Sequence, residues 1–369
     1  MPLFTGTLTL DEMGAPDAAA VTLAQIREDR ALAALTNALD THNRLVAEQL
    51  AECCEITTDV QRPDAAYGEI GEMVPLTETG RAPTQISTDT PVNVGFPLEG
   101  WQYAIGWTQR ALDRATANKI ARQTTNALEA HVRKLQARLK QAFYRPTNYS
   151  TRDYLSENKI NLDVKAFYNG DGAPIPMGPN GEVFPSTHSH YLVGPLDGAR
   201  AAALIGTVRE HSNGAEVRVV IALDDEAAWR ALPNFTPYLE AGILRGPGNR
   251  TDGTLDVANP ANRPIGKVNG AEVWVKPWAI GGYPIAYDLN GPRPLALRVS
   301  PVTGVAGGAV RSPALRLASE NRAYPLIAQF MEAEFGFGAQ RRGAAAILYT
   351  GAAAGQPYVV PAVSGNNIF

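Results

Sequence analysis

Apolar residues recur along this chain with two different periods, and the switches between them mark its elements. Over 21–54, Leu23, Ile26, Leu32, Leu35, Leu39, Val46 and Leu50 are spaced mainly by three, four and seven. That spacing predicts a helix with one apolar face, with Thr22 as its N-cap. A longer helix is predicted over 101–144 from Ile105, Leu112, Ile120, Leu128, Val132, Leu135, Leu139 and Phe143. Neither proline nor glycine interrupts it after Trp107, and Pro146 lies just beyond its end. A single helix of ~35 residues would exceed ~50 Å. Few compact enzymes need such a rod, whereas a plate-shaped subunit does.

Between these helices, 55–100 shows short, imperfect alternation at 69–74 and 85–90. It is framed by Pro63, Gly68, Pro75, Gly80, Pro83, Pro91, Gly95 and Pro97. Two extended strands joined by a turn near 79–81 are predicted. They carry too few large apolar residues to form a core, and a lone two-stranded ribbon is marginal, so this one needs another surface. Residues 1–20 also hold little to bury and read as an arm that gains order only against a partner.

The second half mixes both periods. A loop-rich passage over 146–194 precedes a helix at 197–211 burying Ala202, Leu204, Ile205 and Val208, a strand at 216–223 and a short helix at 224–232. Residues 246–264 read as a flexible excursion. Strands are predicted at 271–276, 284–287 and 295–299, a helix at 324–335 and a last strand at 344–350. In the tail, 351–369, Tyr358, Val359, Val360 and Phe369 are available to dock on another element. The class is α+β.

Composition adds little until charge is resolved by segment. The 369 residues are 45% hydrophobic and 19% charged, with a net charge of −4. The chain as a whole is therefore no general nucleic-acid binder. Over 110–145, however, nine Lys and Arg stand against Asp113 and Glu129, nine minus two leaving seven positive charges. Arg133, Lys134, Arg138 and Lys140 are the candidates for facing a polyanion such as DNA; a solvated face neutralised by acidic neighbours is the alternative. The start lacks the pattern of a signal peptide, and no window approaches the ~18 apolar residues of a membrane span. A soluble product folding in a reducing compartment is expected, with no membrane partner. Cys53 and Cys54, adjacent in sequence, read as structural thiols.

Chemical signatures are sparse. His188 and His190 would share one face of a strand, but no third metal ligand is evident, so a packing or hydrogen-bonding role is expected. His131 and His211 read as lone histidines, and Asp224, Asp225 and Glu226 as acids at a helix start. No nucleophile elbow, phosphate loop or dinucleotide fingerprint is present. The reading is of no catalytic, cofactor or metal site, and of no enzyme. Asn366 and Asn367 suggest an isopeptide donor. No lysine precedes Lys119, though, so the 55–100 ribbon cannot supply the amine for such a crosslink.

The order of elements resembles the HK97-type major capsid proteins of tailed bacteriophages. The likeness is strongest in KPWAIGGY at 276–283, then Tyr287 and Asp288, PRPL at 292–295 and EAEFGFG at 332–338. It also includes THSHY at 187–191, Trp101 with Gln102, and AIG at 104–106. The resemblance implies an N-terminal arm at 1–22, a helix at 23–54 and an extended loop at 55–103. It places the spine helix and peripheral domain at 104–184, the axial domain at 185–265, a sheet and helix completing the body at 266–350, and the tail at 351–369. Tyr67, Glu69, Glu72 and Arg81 would make intersubunit contacts from the loop.

It further implies hexameric and pentameric capsomers around double-stranded DNA, without cofactors, in a virion capsid assembled in the bacterial host cytoplasm. A separate scaffolding protein, or else weak internal guidance from residues 23–54, would direct assembly, with a portal and a maturation protease as further partners. The lysine-free ribbon departs from the archetype's covalent chainmail. An encapsulin-like nanocompartment shell, or an α/β enzyme with an unfamiliar site, is the alternative.

Overall fold

The computed structural model describes residues 8–15, 28–64, 93–108, 110, 114–153, 159–212, 214–238, 262–291, 293–300, 314–323 and 326–362. Helix α1 (Leu10–Gly14) opens with a capping box, in which Thr9 Oγ1 accepts from the Glu12 amide and the Glu12 carboxylate accepts from the Thr9 amide. Leu8 and Met13 are buried against Ala31 and Ala34 of α2 (Glu28–Leu50) and against Ala115, Ala117, Ile120 and Ala121 at the start of α3 (Ala117–Tyr144). Order was expected in this arm only against a partner. Residues 8–15 instead find it on their own chain, because the opposing surface is mostly alanine and admits close approach. The predicted start of α2 near Thr22 lies outside the described residues.

Past α2, Cys53 sits in a turn and Cys54 opens strand β1 (Cys54–Thr57). Both thiols are free and buried, and burial raises that of Cys54 well above its usual value. Next come β2 (Gln61–Pro63), β3 (Asn93–Gly95) and β4 (Glu99–Thr108).

The long helix begins later than its apolar spacing predicted. Thr116 caps it, and α3 runs 28 residues from Ala117 to Tyr144, ~42 Å at the α-helical rise. Residues 99–108 are strand instead of helix. Trp101, Tyr103, Ile105 and Trp107 alternate with Gln102, Ala104, Gly106 and Thr108, an aromatic-rich period of two. The seven-residue step from Ile105 to Leu112 matched a helix by coincidence.

A second predicted helix is likewise strand. Residues 324–335 fall largely within β15 (Leu326–Ala339), which follows β13 (Leu295–Val299) and β14 (Arg316–Ala323). Along one edge β15 pairs antiparallel with β4, from Leu326 opposite Thr108 to Phe335 opposite Glu99. Along the other it pairs first with β14 and then, from Phe335 to Ala339, with β13, which in turn pairs parallel with β1. Hydrogen bonding on both edges overrides the local helical spacing of Leu326, Ile327, Phe330 and Met331.

Beyond α3 lies a small hairpin of β5 (Tyr149–Arg152) and β6 (Asn161–Val164). A seven-stranded mixed sheet follows, built from β7 (Tyr191–Val193), β8 (Val217–Ile221), β9 (Phe235–Pro237), β10 (Arg263–Val268), β11 (Ala271–Val275), β12 (Ile285–Asp288) and β16 (Ala345–Tyr349). Its order is β7-β16-β12-β8-β11-β10-β9. On one face, α4 (Gly198–Arg209), capped by Asp197, buries Ala201, Leu204, Ile205 and Val208. Those positions form the i, i+3, i+4, i+7 stripe, so Ala202, expected inside, points outward and is exposed. A short helix, α5 (Glu226–Arg230), seats Trp229 in the same core.

The opposite face meets the far end of α3. Leu139, Phe143 and Tyr144 join Ile285, Tyr287 and Ile347 of this sheet and Leu297, Phe335 and Phe337 of the other in one core. Phe143 stacks on Phe167 and Trp278, both at 5.8 Å between ring centroids. In the tail, Tyr358 packs on Tyr191 and Tyr283, whereas Val359 and Val360 stay exposed and Phe369 lies outside the described residues. Among the described residues no helix is long and apolar enough to cross a membrane.

Glu52, just past α2, joins the helical layer to the seven-stranded sheet. Arg218 Nη1 and Lys276 Nζ each donate to it at 2.8 Å, and the Tyr287 hydroxyl donates as well. Burial pushes its pKa up, but these donors outweigh burial and hold it below the usual 4.5. A carboxyl depressed by folding adds stability that is present above its unfolded pKa and lost as pH falls through the folded one. Chemical denaturation should therefore show stability falling as pH drops below about 4.5, and Glu52→Gln should flatten that limb of the profile while lowering stability at neutral pH.

Candidate functional site

Three places on this framework bear on function: the stem of the ribbon, the basic side of α3, and a histidine cluster beside α4. The stem consists of β2 and β3, paired antiparallel from Gln61 opposite Gly95 to Pro63 opposite Asn93. The strands predicted at 69–74 and 85–90, and with them Tyr67, Glu69, Glu72 and Arg81, lie outside the described residues.

The sequence explains how tightly the stem is seated. A Cβ on Gly95 would lie 3.0 Å from the Asp163 carbonyl and Leu162 of β6. One on Gly336 would strike the Pro97 carbonyl, and one on Gly338 would lie 2.8 Å from the Phe96 ring. The alternation of Phe335, Gly336, Phe337 and Gly338 therefore puts two rings into the core and leaves bare backbone where residues 95–97 cross β15.

Polar contacts lock the same place. Arg62 bonds Asp59 at 2.7 Å, Glu55 at 3.1 Å and Gln340 Oε1 at 2.7 Å. Arg298 of β13, almost wholly buried, pairs with buried Asp153 at 2.7 Å and donates to the Phe96 carbonyl at 2.8 Å. Asp64, directly after β2, approaches buried Arg342 at 3.7 Å.

The four basic candidates on α3 do not act alike. Lys134 and Arg138, one turn apart, lie over the Trp101 ring of β4 at 4.2 and 4.8 Å from its centroid. Arg138 also pairs with Glu99 at 2.6 Å. Burial lowers the pKa of Lys134, with the Arg138 charge adding to the effect. Arg133 is exposed and pairs only loosely with Glu129 at 3.3 Å. Lys140 is half-buried, and burial lowers its pKa as well. At seven residues apart, Arg133 and Lys140 share a helical face distinct from that of Lys134 and Arg138. Acidic neutralisation thus describes Arg138, and it comes from Glu99, upstream of the helix.

The histidine cluster corrects the expectation that His188 and His190 lack further ligands. The chain end of α4 delivers Glu210 and His211 to them, so His211 is not a lone histidine. One donor atom from each of the four residues lies within 4.8 Å of all the others. His188 Nε2 is 2.9 Å from Glu210 Oε1 and 3.3 Å from His211 Nε2, and His211 Nε2 is 3.7 Å from Glu210 Oε1. His190, wholly buried, donates through Nδ1 to the Ala345 carbonyl of β16 at 2.7 Å. Its Nε2 has no hydrogen-bond partner. Burial holds His190 well below its usual pKa and His211 down to about 4, so both rings are neutral bases near pH 7. Phe184 lies against His211 and His188 at 4.4 and 5.0 Å between ring centroids. His-x-His was visible in the sequence, but only the fold shows which other His and Glu stand beside it.

No family model matches the chain, and no curated protein matches it. Among solved structures, one from Mycobacterium phage Patience aligns over 98% of this chain and 96% of its own, with a TM-score of 0.65 and 19% identity. The two chains share a fold. Similarity also extends to the capsid of a native GTA particle (TM-score 0.45, 13% identity, 83% of this chain and 90% of that one). The holo-SrpI encapsulin complex from Synechococcus elongatus PCC 7942 is similar at a TM-score of 0.39 and 11% identity, over 74% of this chain and 80% of that one. Neither of these two adds to the fold assignment.

The buried Arg298–Asp153 pair offers a direct test of how the stem is held. Removing one partner of a buried ion pair typically costs ~3–5 kcal/mol. Arg298→Met should lower the denaturation midpoint by a corresponding amount, while exposed Arg133→Met, within a weak surface pair, should leave it near wild type.

Proposed function

We propose that this chain is the shell-forming subunit of a tailed-phage head, building hexamers and pentamers of an icosahedral capsid around double-stranded DNA. The observation that carries the reading is the near end-to-end fold match to the Mycobacterium phage Patience structure. The earlier resemblance to HK97-type subunits accords with it, as does the 28-residue α3 lying between two sheets. A rigid body is what such an assembly requires, because shell curvature has to be absorbed by segments that project from it.

In this reading, the firmly seated stem is the fixed end of a ribbon whose 65–92 portion contacts adjacent copies through Tyr67, Glu69, Glu72 and Arg81. Many weak contacts summed over a closed shell supply stability that one subunit lacks. Scaffolding, portal and protease proteins would be partners during assembly in the host cytoplasm. The basic candidates on α3 would contact phosphates without reading bases, with Arg133 and Lys140 carrying most of the effect, since Lys134 and Arg138 are already engaged by Trp101 and Glu99.

Replacing 66–91 by a short Gly-Ser link, with β2 and β3 kept, should leave a soluble subunit that forms no closed shells in negative-stain electron microscopy; normal particles would refute the role given to the ribbon. Arg133→Glu combined with Lys140→Glu should shorten or thin the packaged DNA more than it disturbs shell formation, read as genome length and internal density in purified particles. Protein cargo in place of DNA inside wild-type particles would favour a nanocompartment instead.

A further inference from the structure

We propose that His188, His190, Glu210 and His211 form a binding site for one divalent transition-metal ion of the zinc class. The site stands on its own geometry and does not depend on the shell reading.

Zinc holds imidazole nitrogen and carboxylate oxygen at ~2.0–2.2 Å in a tetrahedron, which sets neighbouring donors ~3.4 Å apart. The three spans among His188 Nε2, His211 Nε2 and Glu210 Oε1 are 2.9, 3.3 and 3.7 Å, scattered about that value. His190 completes the set. A carbonyl oxygen can only accept, so the Nδ1 that contacts Ala345 O at 2.7 Å carries the ring proton, and Nε2 presents a bare lone pair. That lone pair is buried and receives no hydrogen bond. A backbone carbonyl on one ring nitrogen, with the other left free as a base, is how proteins orient histidine toward a metal.

A purely hydrogen-bonded cluster accounts for the geometry less well. The Nε2 atoms of His188 and His211 face each other and the same Glu210 Oε1, which receives no well-aligned donor. His190 Nε2 would remain an orphan acceptor in a dry site, a costly arrangement. A cation in the middle gives all four lone pairs a partner at once.

The ligand count also assigns the role. Four protein donors close a tetrahedral site and leave no position for substrate, which is the pattern of structural zinc. His188 comes from the loop before β7, His190 from the entry to β7 beside β16, and Glu210 and His211 from the end of α4. The ion would staple that loop to the helix and sheet of the α4 core. His188 and Glu210 retain some exposure, 18% and 29% of their side chains, so an ion can enter from that side.

The test uses the full chain, stripped with a chelator, dialysed and titrated with zinc chloride. Calorimetry and elemental analysis should give one zinc per chain, and zinc should raise the thermal midpoint by mass action. Loss of even an outer-shell partner costs 10–100-fold in metal affinity, so Glu210→Gln and His188→Asn should each weaken binding by ~100-fold or more. These two positions are partly exposed, so circular dichroism should show both variants folded, which is less assured for buried His190. Cobalt in place of zinc should give the intense visible bands of a tetrahedral site. No stoichiometric zinc uptake by the wild type, or undiminished uptake by the folded Glu210→Gln and His188→Asn variants, would overturn the proposal.

Discussion

Strand β15 can hold β4 on one edge and both β14 and β13 on the other only if something small lies where the chain crosses over it. Gly336 and Gly338 meet that constraint, and Phe96 and Pro97 occupy the space a side chain would fill. The same four residues that open this space, Phe335 to Gly338, send two aromatic rings into the core that α3 covers. One short alternation therefore sets the ribbon stem, the sheet and the long helix relative to each other. Arg298 then donates to the Phe96 carbonyl that this close approach buries.

From this arrangement follows an anchored root for the chain on either side of residues 65–92. Both ends of the 61–97 segment are fixed, by paired backbone, a hydrogen bond from buried Arg298 to the Phe96 carbonyl and a glycine-lined seat. Its composition, low in large apolar residues, gives the segment between them little to bury alone. The basic helix illustrates the opposite lesson. Its formal excess of charge is partly consumed inside the subunit, because Trp101 and Glu99 take up Lys134 and Arg138.

Two kinds of chemistry coexist in the rest of the body. Glu52 gathers Arg218, Lys276 and Tyr287 where α2 meets the seven-stranded sheet, a charged joint between layers that are otherwise apolar. The histidine cluster joins the loop before β7 to the end of α4 through nitrogen and oxygen atoms, with the Phe184 ring against two of its imidazoles. Both lie at seams between cores, where apolar packing alone has less surface to work with.

Much of this protein was legible from residue order. The helix at α4, the strands at 217–221, 271–275, 285–288, 295–299 and 345–349, and the apolar face of α3 over 117–144 follow from local periodicity, which acts over a few residues. What periodicity could not decide were segments compatible with both periods. Residues 101–108 and 326–335 have apolar spacings that suit a helix, yet each becomes a strand because the other supplies its hydrogen-bonding edge. The cluster of His188, His190, Glu210 and His211 escaped for the same reason. His-x-His is local, but its other two donors arrive only when α4 and β16 pack beside it, and no spacing along the chain records a distance across space.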